Sequence, residues 1–379
     1  MEEIESTNQP KVTIVVSPRE RFSYTQTSLE SIYAHTQRPF ELVYVDGGSP
    51  KPIREYLTTQ AQEKSFALIR VDHVLTPNQA RNIGLAQVKT AYVVFIDNDV
   101  VVSPGWLEAL VQCAEETDAA IVGPLTCQDE PVHKTIHFAN GVAHIIVDVK
   151  GRRRLREKMT RQGQQIAAIG SKLRRTQAEL VEFHCMLVSM DVFQKMGPLD
   201  ETLFNTKEHV DLCMGVTETG GSIYFEPTSI ITYVPGIAWN WADLHFYMLR
   251  WSDAWETISL EHLQKKWNLS EDAYFIQKHK ALGWRRRKMI LSPLLERVTF
   301  GLFKHRFFEQ ITFGLVKSRF LEKVFMYGLL APADRLLNKY LTDRHARKWL
   351  GNQELPLTTS PTPSLEILQN KIDENSSAA

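Results

Sequence analysis

Tyr92-Val93-Val94-Phe95-Ile96-Asp97-Asn98-Asp99 decides how this chain folds. Five apolar residues run straight into two carboxylates one residue apart, and Val100-Val101-Val102 follows. That pattern reads as a buried strand with acids at its end. Strands buried on both faces belong to parallel sheets covered by helices, and ligands of open α/β sheets bind beyond the carboxyl ends of the strands. Two carboxylates there suit a hard divalent cation, Mg²⁺ or Mn²⁺, which takes oxygen ligands and completes its shell with water and substrate phosphates. Taken alone, the triplet also reads as a solvated turn, so its surroundings decide.

Upstream, Val12-Thr13-Ile14-Val15-Val16 predicts a first buried strand, then the loop Ser17-Pro18-Arg19-Glu20-Arg21. A helix is expected to open on Thr27 and Glu30 at capping-box spacing and to bury Leu29, Ile32 and Tyr33. Phe40 to Val45 reads as a second strand ended by Asp46-Gly47-Gly48-Ser49, and Phe66 to Val71 as a third. Thr76-Pro77-Asn78-Gln79 has the cap, first-turn proline and returning glutamine of a helix start, and that helix carries Arg81. Downstream, Ser103-Pro104 opens a helix with Trp106, Leu107, Leu110 and Val111 inside, and Ala119 to Val122 closes the alternating half. This alternation predicts an α/β fold with a mostly parallel sheet flanked by helices. After residue 125 the pattern is mixed, with a basic helical segment expected over 152–180. Strand-like Phe183 to Val188, a helix from Asp191 to Met196 and a helix after Lys207 follow. From Trp239 to about Leu350 the chain reads as helical, with Trp239, Trp241, Phe246, Tyr247, Trp251 and Trp255 chiefly as its core.

The 379 residues carry 44 basic and 44 acidic side chains, so no global polycation argues for nucleic acid. Cys113, Cys127, Cys185 and Cys213 lack metal-ligand spacing and read as small buried hydrophobes in a reducing compartment. The polar N-terminus is not a secretory signal, and no uncharged apolar run approaches the roughly 18 residues of a spanning helix. A cytoplasmic protein is expected, at the inner face of the cytoplasmic membrane if its basic amphipathic stretch 284–325 meets anionic lipid. That stretch reads equally well as a helical cap. The basic run Lys150 to Arg175 suits a solvated face or an anionic acceptor.

Asp46, between a strand and two glycines, can accept from a nucleobase N–H or a ribose hydroxyl, and also from its own turn. Arg81 near a helix start adds to a dipole that favours anions. Taken in order, Val-Val-Ser-Pro-Arg-Glu (15–20), Val-Asp-Gly-Gly-Ser (45–49), Ala-Arg-Asn-Ile-Gly-Leu (80–85), Phe-Ile-Asp-Asn-Asp (95–99), Ser-Pro-Gly-Trp-Leu (103–107), Met-Gly-Pro-Leu-Asp-Glu (196–201) and Glu-His-Val-Asp-Leu (208–212) resemble a family 2 glycosyltransferase over roughly Val12 to Tyr233. The resemblance implies a GT-A fold, Rossmann-like, to which the helical reading of 239–350 adds a C-terminal extension. With the polar ends read as disordered, the expected division is a disordered N-terminus (1–10), a GT-A domain (11–238, nucleotide half 11–125, acceptor half 126–238), a helical extension (239–350) and a disordered Pro/Ser/Thr-rich tail (351–379). The resemblance implies a metal-dependent, inverting transfer of a sugar from a nucleoside-diphosphate donor to a hydroxyl of a glycan, lipid-linked or small-molecule acceptor, of the kind used in cell-envelope or polysaccharide biosynthesis. Pro18, Glu20, Asp46, Arg81 and Asp97 would contact the donor nucleotide, and Asp97 and Asp99 the metal.

Two positions depart from the family pattern. The acceptor-side helix starts Glu208-His209 where relatives carry Glu-Asp with the aspartate as base; the candidate bases are Glu208, then Asp211, then His209, whose unperturbed pKa suits the task. Tyr233 stands where many relatives have a histidine at the metal or diphosphate. Rival readings are a metal-dependent nucleotidyltransferase and a catalytically silent relative that binds nucleotide sugar or glycan.

Overall fold

The computed structural model describes residues 10–235, 240–298, 328 and 330–352. Residues 1–9 and 353–379 of the expected tails, Trp239 and all of 299–325 lie outside the described residues. The strands are β1 (Val12–Ser17), β2 (Glu41–Gly47), β3 (Ala67–Val71), β4 (Tyr92–Asp97), β5 (Val100–Val102), β6 (Ile121–Gln128), β7 (Thr135–Phe138), β8 (Gly141–Val147), β9 (Arg153–Met159), β10 (Thr176–Ala178), β11 (Cys185–Ser189) and β12 (Ile223–Tyr233). Ten of them form one sheet in the order β10-β12-β6-β11-β4-β1-β2-β3, with β5 on β12 and β7 on β6. β3, β2, β1 and β4 are mutually parallel, as the alternating sequence predicts. β11 then runs antiparallel to both β4 and β6, so the whole sheet is mixed. The first-half strands are apolar without alternation because helices cover both faces; β1 is buried at all six positions.

Helices α1 (Thr25–His35), α2 (Lys51–Lys64), α3 (Pro77–Leu85) and α4 (Trp106–Thr117) supply that cover. α3 starts where its sequence says: Thr76 Oγ1 accepts from Gln79 N–H while Gln79 Oε1 accepts from Thr76 N–H. α1 starts two residues before the expected Thr27, and no side chain caps it. Glu30 is instead engaged by Gln26 one turn earlier, so the spacing was present without the cap.

The expected basic helix over 152–180 is mostly something else. Residues 153–159 are β9, paired antiparallel with β8, and only Ile166–Ile169 (α5) is helical, before a short turn and β10. The reason is a period of two: Leu155, Glu157 and Met159 lie on the sheltered side while Arg156 and Lys158 face water. α6 (Met190–Met196) and α7 (Glu208–Glu218) complete this half.

Three further helices, α8 (Trp241–Arg250), α9 (Asp253–Lys266) and α10 (Ala273–Lys280), follow β12. Phe22 N–H donates to Asp243 Oδ1 (2.7 Å), fastening α8 to the loop after β1. Phe246, Tyr247, Trp251 and Trp255 are buried as core, whereas Trp241 is exposed. Arg286 and Arg287 are also buried, both on Asp334, so these cations of the amphipathic stretch face inward and not toward lipid. No helix among the described residues is long and apolar enough to cross a membrane. All four cysteines are buried and free.

Candidate active site

The strand order places β1 between β2 and β4, so the chain leaves the centre of the sheet in two directions there. Ser17 and Asp97 pair in register at the carboxyl ends of β1 and β4. Such a switch point leaves a crevice for ligands. Asn98 closes its floor. Its Oδ1 accepts from Arg19 N–H (2.9 Å), and its Nδ2 donates to Arg21 O (2.9 Å) and Thr25 Oγ1 (3.2 Å).

Asp97 is fully buried and held from three sides: by Arg81 Nη2 on Oδ1 (3.2 Å), and by Arg19 Nε (3.4 Å) and His184 Nδ1 (3.0 Å) on Oδ2. Burial opposes its ionisation, but Arg19, His184 and Arg81 outweigh that and bring its carboxyl down to about 2. Asp99 is the opposite case. Both of its carboxylate oxygens are buried with no hydrogen-bond partner. Burial first, then the charges of Asp97 and Glu20, push it well above the usual carboxylate range. A buried carboxylate with two free oxygens, at the end of a strand, fits a bound cation that would take the place of its proton.

Asp46 and Arg81, paired by expectation at the nucleotide base, have different partners. Asp46 accepts from Ser49 N–H (3.0 Å), from Ser49 Oγ (2.8 Å) and from the Arg70 guanidinium. Arg81 is wholly buried; besides Asp97 it reaches Asn78 Oδ1 (3.2 Å) and lies over the Phe183 ring (4.0 Å), with Glu208 3.8 Å away. Glu20 receives the Tyr233 hydroxyl and lies 3.5 Å from Arg285. Burial works against its charge, yet Arg285 and Arg19 keep it below its ordinary pKa. Pro18 precedes this pair in the same buried loop.

On the acceptor side, Lys207 takes a left-handed backbone (φ 70°) and turns the chain into α7. Glu208 Oε1 faces Arg19 Nη1 (3.4 Å), Arg81 (3.8 Å) and Arg250 Nη2 (4.0 Å), which hold its carboxyl low against the cost of burial. Asp211 points elsewhere. Its oxygens accept from Lys266 Nζ and Trp267 Nε1, both at 2.8 Å, and burial still raises its pKa. His209 is half-buried and its Nε2 has no partner; burial lowers its pKa although Glu208, Glu182 and Glu157 pull the other way.

Sequence reasoning passed over Arg19, Arg70, Arg250, Arg285, His137, Glu182 and His184. Arg19 lies inside the quoted Ser-Pro-Arg-Glu loop and was within reach. Arg250 and Arg285 come from the C-terminal helices, and nothing local marks them as site residues.

A family model described as "Glycosyl transferase family 2" matches residues 13–196. Over those residues the chain is similar to glycosyltransferase family 2, and its mixed sheet with the crevice at β1 and β4 has the GT-A arrangement. It is 26% identical over 227 residues to the pre-mycofactocin glycosyltransferase of Mycobacterium tuberculosis, covering 59% of this chain and 42% of that one. It is 30% identical over 116 residues to the O-antigen biosynthesis protein RfbC of Myxococcus xanthus, covering 30% and 9%. The chain thus spans less than half the length of these curated relatives. Among solved structures, S. aureus TarS 1-349 in complex with UDP-GlcNAc aligns at 12% identity over 73% of each chain, with a TM-score of 0.46. GalNAc-T7 with UDP, GalNAc and Mn²⁺ aligns at 15% identity over 74% of this chain and 57% of that one, with a TM-score of 0.45.

Proposed function

We propose that the protein is a metal-dependent, inverting glycosyltransferase that moves a sugar from a nucleoside-diphosphate donor to an acceptor hydroxyl. One observation carries this reading: Asp99 presents two unpartnered carboxylate oxygens beside an Asp97 already neutralised by arginines, at the β1/β4 crevice. Asp99 would hold Mg²⁺ or Mn²⁺ there, with Asp97 alongside, and the ion would supply charge stabilisation to the departing diphosphate. Asp46, with the Arg70 that orders it, and the loop carrying Pro18 and Glu20 would line the nucleoside. Arg81 supports this wall from behind by fixing Asp97.

Inversion needs one base that removes the acceptor proton. Of the three candidates, Asp211 has both oxygens occupied, and the arginines around Glu208 make its carboxylate a weak proton acceptor. His209 Nε2 is buried without a partner, burial favours the neutral imidazole, and neighbouring Glu208, Glu182 and Glu157 favour the imidazolium that a proton transfer would form. His209 is therefore the base in this reading, replacing the aspartate of relatives. Polysaccharide or cell-envelope glycans are the acceptor class in keeping with relatives such as the O-antigen protein.

The test is a thermal-shift screen of nucleoside diphosphates and nucleotide sugars with and without Mn²⁺. A ligand of the native state raises its stability by mass action. Stabilisation by one nucleotide sugar that requires Mn²⁺ and is lost in Asp99→Asn is the expected result. A donor that stabilises both proteins equally without metal would overturn the metal assignment, and turnover without any shift in the Asn variant would do the same.

A further inference from the structure

Beside the donor crevice, His137, Glu182 and His184 converge so that one ligand atom of each lies within 4.8 Å of the others. We propose that these three side chains form a second metal site, for a transition-metal ion of the Zn²⁺ class, separate from the Asp97–Asp99 carboxylates.

Their second contacts are arranged for ligation. His184 Nδ1 donates to Asp97 Oδ2 (3.0 Å), and His137 Nδ1 donates to Gln128 Oε1 (2.9 Å). With the proton of each ring on Nδ1, Nε2 keeps its lone pair. Histidines that bind metals are held in this way, by a carboxylate or carbonyl on the other nitrogen. Glu182 is nine-tenths buried, and its Oε2 lies 3.1 Å from His137 Nε2 without a well-aligned hydrogen bond. Two acceptors facing each other at that distance resemble neighbouring ligands of one ion: donors 2.0–2.1 Å from a tetrahedral centre are roughly 3.3 Å apart. The Tyr233 ring stacks on His184 (4.0 Å between centroids), closing one face of the group.

The fold explains the convergence. On β7, Ile136 and Phe138 turn into the core and leave His137 on the opposite side. His184 stands just before β11 and is tied to β4 by Asp97 N–H donating to its carbonyl (3.2 Å). Two imidazoles with a single carboxylate favour Zn²⁺ or a similar ion over Mg²⁺ or Mn²⁺, which prefer all-oxygen sets. Coordination at His184 Nε2 would lock Nδ1–H toward Asp97, so this ion would set the orientation of a donor-site carboxylate. The proposal does not depend on the glycosyl-transfer reading.

The experiment uses the full chain stripped with a chelator and titrated with Co²⁺, followed by visible absorption, and with Zn²⁺, followed by calorimetry. The expected result is one equivalent of Co²⁺ with nitrogen-ligand bands, displaced by Zn²⁺. Binding should vanish in His137→Ala and Glu182→Gln, persist in Asp99→Asn, and weaken about 10- to 100-fold in Gln128→Ala, which removes only the outer contact. Absence of binding in the unaltered chain would overturn the site. So would binding that survives His137→Ala or disappears with Asp99→Asn. Should His137→Ala or Glu182→Gln misfold by circular dichroism, Gln128→Ala decides: unchanged affinity there refutes the site.

Discussion

Arg81 Nη2 lies 3.2 Å from Asp97 Oδ1, and both side chains are shut off from water. The pair joins the second turn of α3 to the end of β4 and so fixes the shape of the crevice. Removing one partner of a buried pair strands the other, at a cost of about 3–5 kcal/mol. Arg81→Ala is expected to lose stability on that scale in chemical denaturation. Arg81→Lys keeps the charge but cannot span Asn78, Asp97 and the Phe183 ring together, so it should still lose donor affinity.

Asp99→Asn should stabilise the metal-free protein. The Asp99 pKa is raised by burial and by neighbouring carboxylates, so the folded state binds more protons than the unfolded one above the ordinary carboxylate pKa. Stability therefore falls as pH rises through that window, and the asparagine removes the fall. Melting in chelator from pH 4 to 8 checks it: the gap between variant and parent should widen toward high pH.

His209→Gln should lower kcat by about 10²- to 10⁴-fold while donor binding persists, the range for losing a general base. Because burial holds the imidazole below its usual pKa, the acid limb of the parent's kcat–pH profile should fall below pH 6.5, the group's ordinary value. Glu208→Gln, by contrast, removes the carboxylate that Arg19, Arg81 and Arg250 share and should raise KM and lower stability more than it alters the pH profile.

Glu157 ties β9 to the acceptor side through Lys207 Nζ (2.5 Å) and the Tyr274 hydroxyl. Burial disfavours its charge, but Lys207 and Lys278 bring it down to about 2 from 4.5. A lowered carboxyl contributes stability above the unfolded pKa that disappears as pH falls through the folded one. At about 1.4 kcal/mol per unit this is roughly 3 kcal/mol, present above pH 4.5 and lost by pH 2. Glu157→Gln should be less stable by that order at pH 7, with the difference shrinking below pH 4.5 in urea titrations.

Gly84 packs α3 onto β1 so closely that an added Cβ would lie 2.3 Å from Val15 Cγ1. Alanine is the better helix former by up to about 1 kcal/mol, but overpacking a rigid strand costs about 1–3 kcal/mol. Gly84→Ala is expected to be destabilised, by a lower urea midpoint at unchanged slope.

Much of this protein was legible in the sequence. The β-branched runs at 12–16 and 92–96 specified buried parallel strands, because only a strand covered on both faces is apolar at every position. Thr76 and Gln79 fixed a helix start, because capping satisfies backbone donors locally. Where sequence reading failed, period and partner were at issue: the cations of 153–159 looked helical until pairing with β8 showed an alternation of two. The identity of Asp97 and Asp99 as acids at a strand end was determined by sequence. That one is neutralised by Arg19 and Arg81 and held by His184 while the other stands with free oxygens was decided by residues up to 87 positions away. Local patterns encode what a residue does with its own backbone; the charge state of a buried group depends on which distant side chains the topology brings to it, and only the folded sheet with its C-terminal helices sets that.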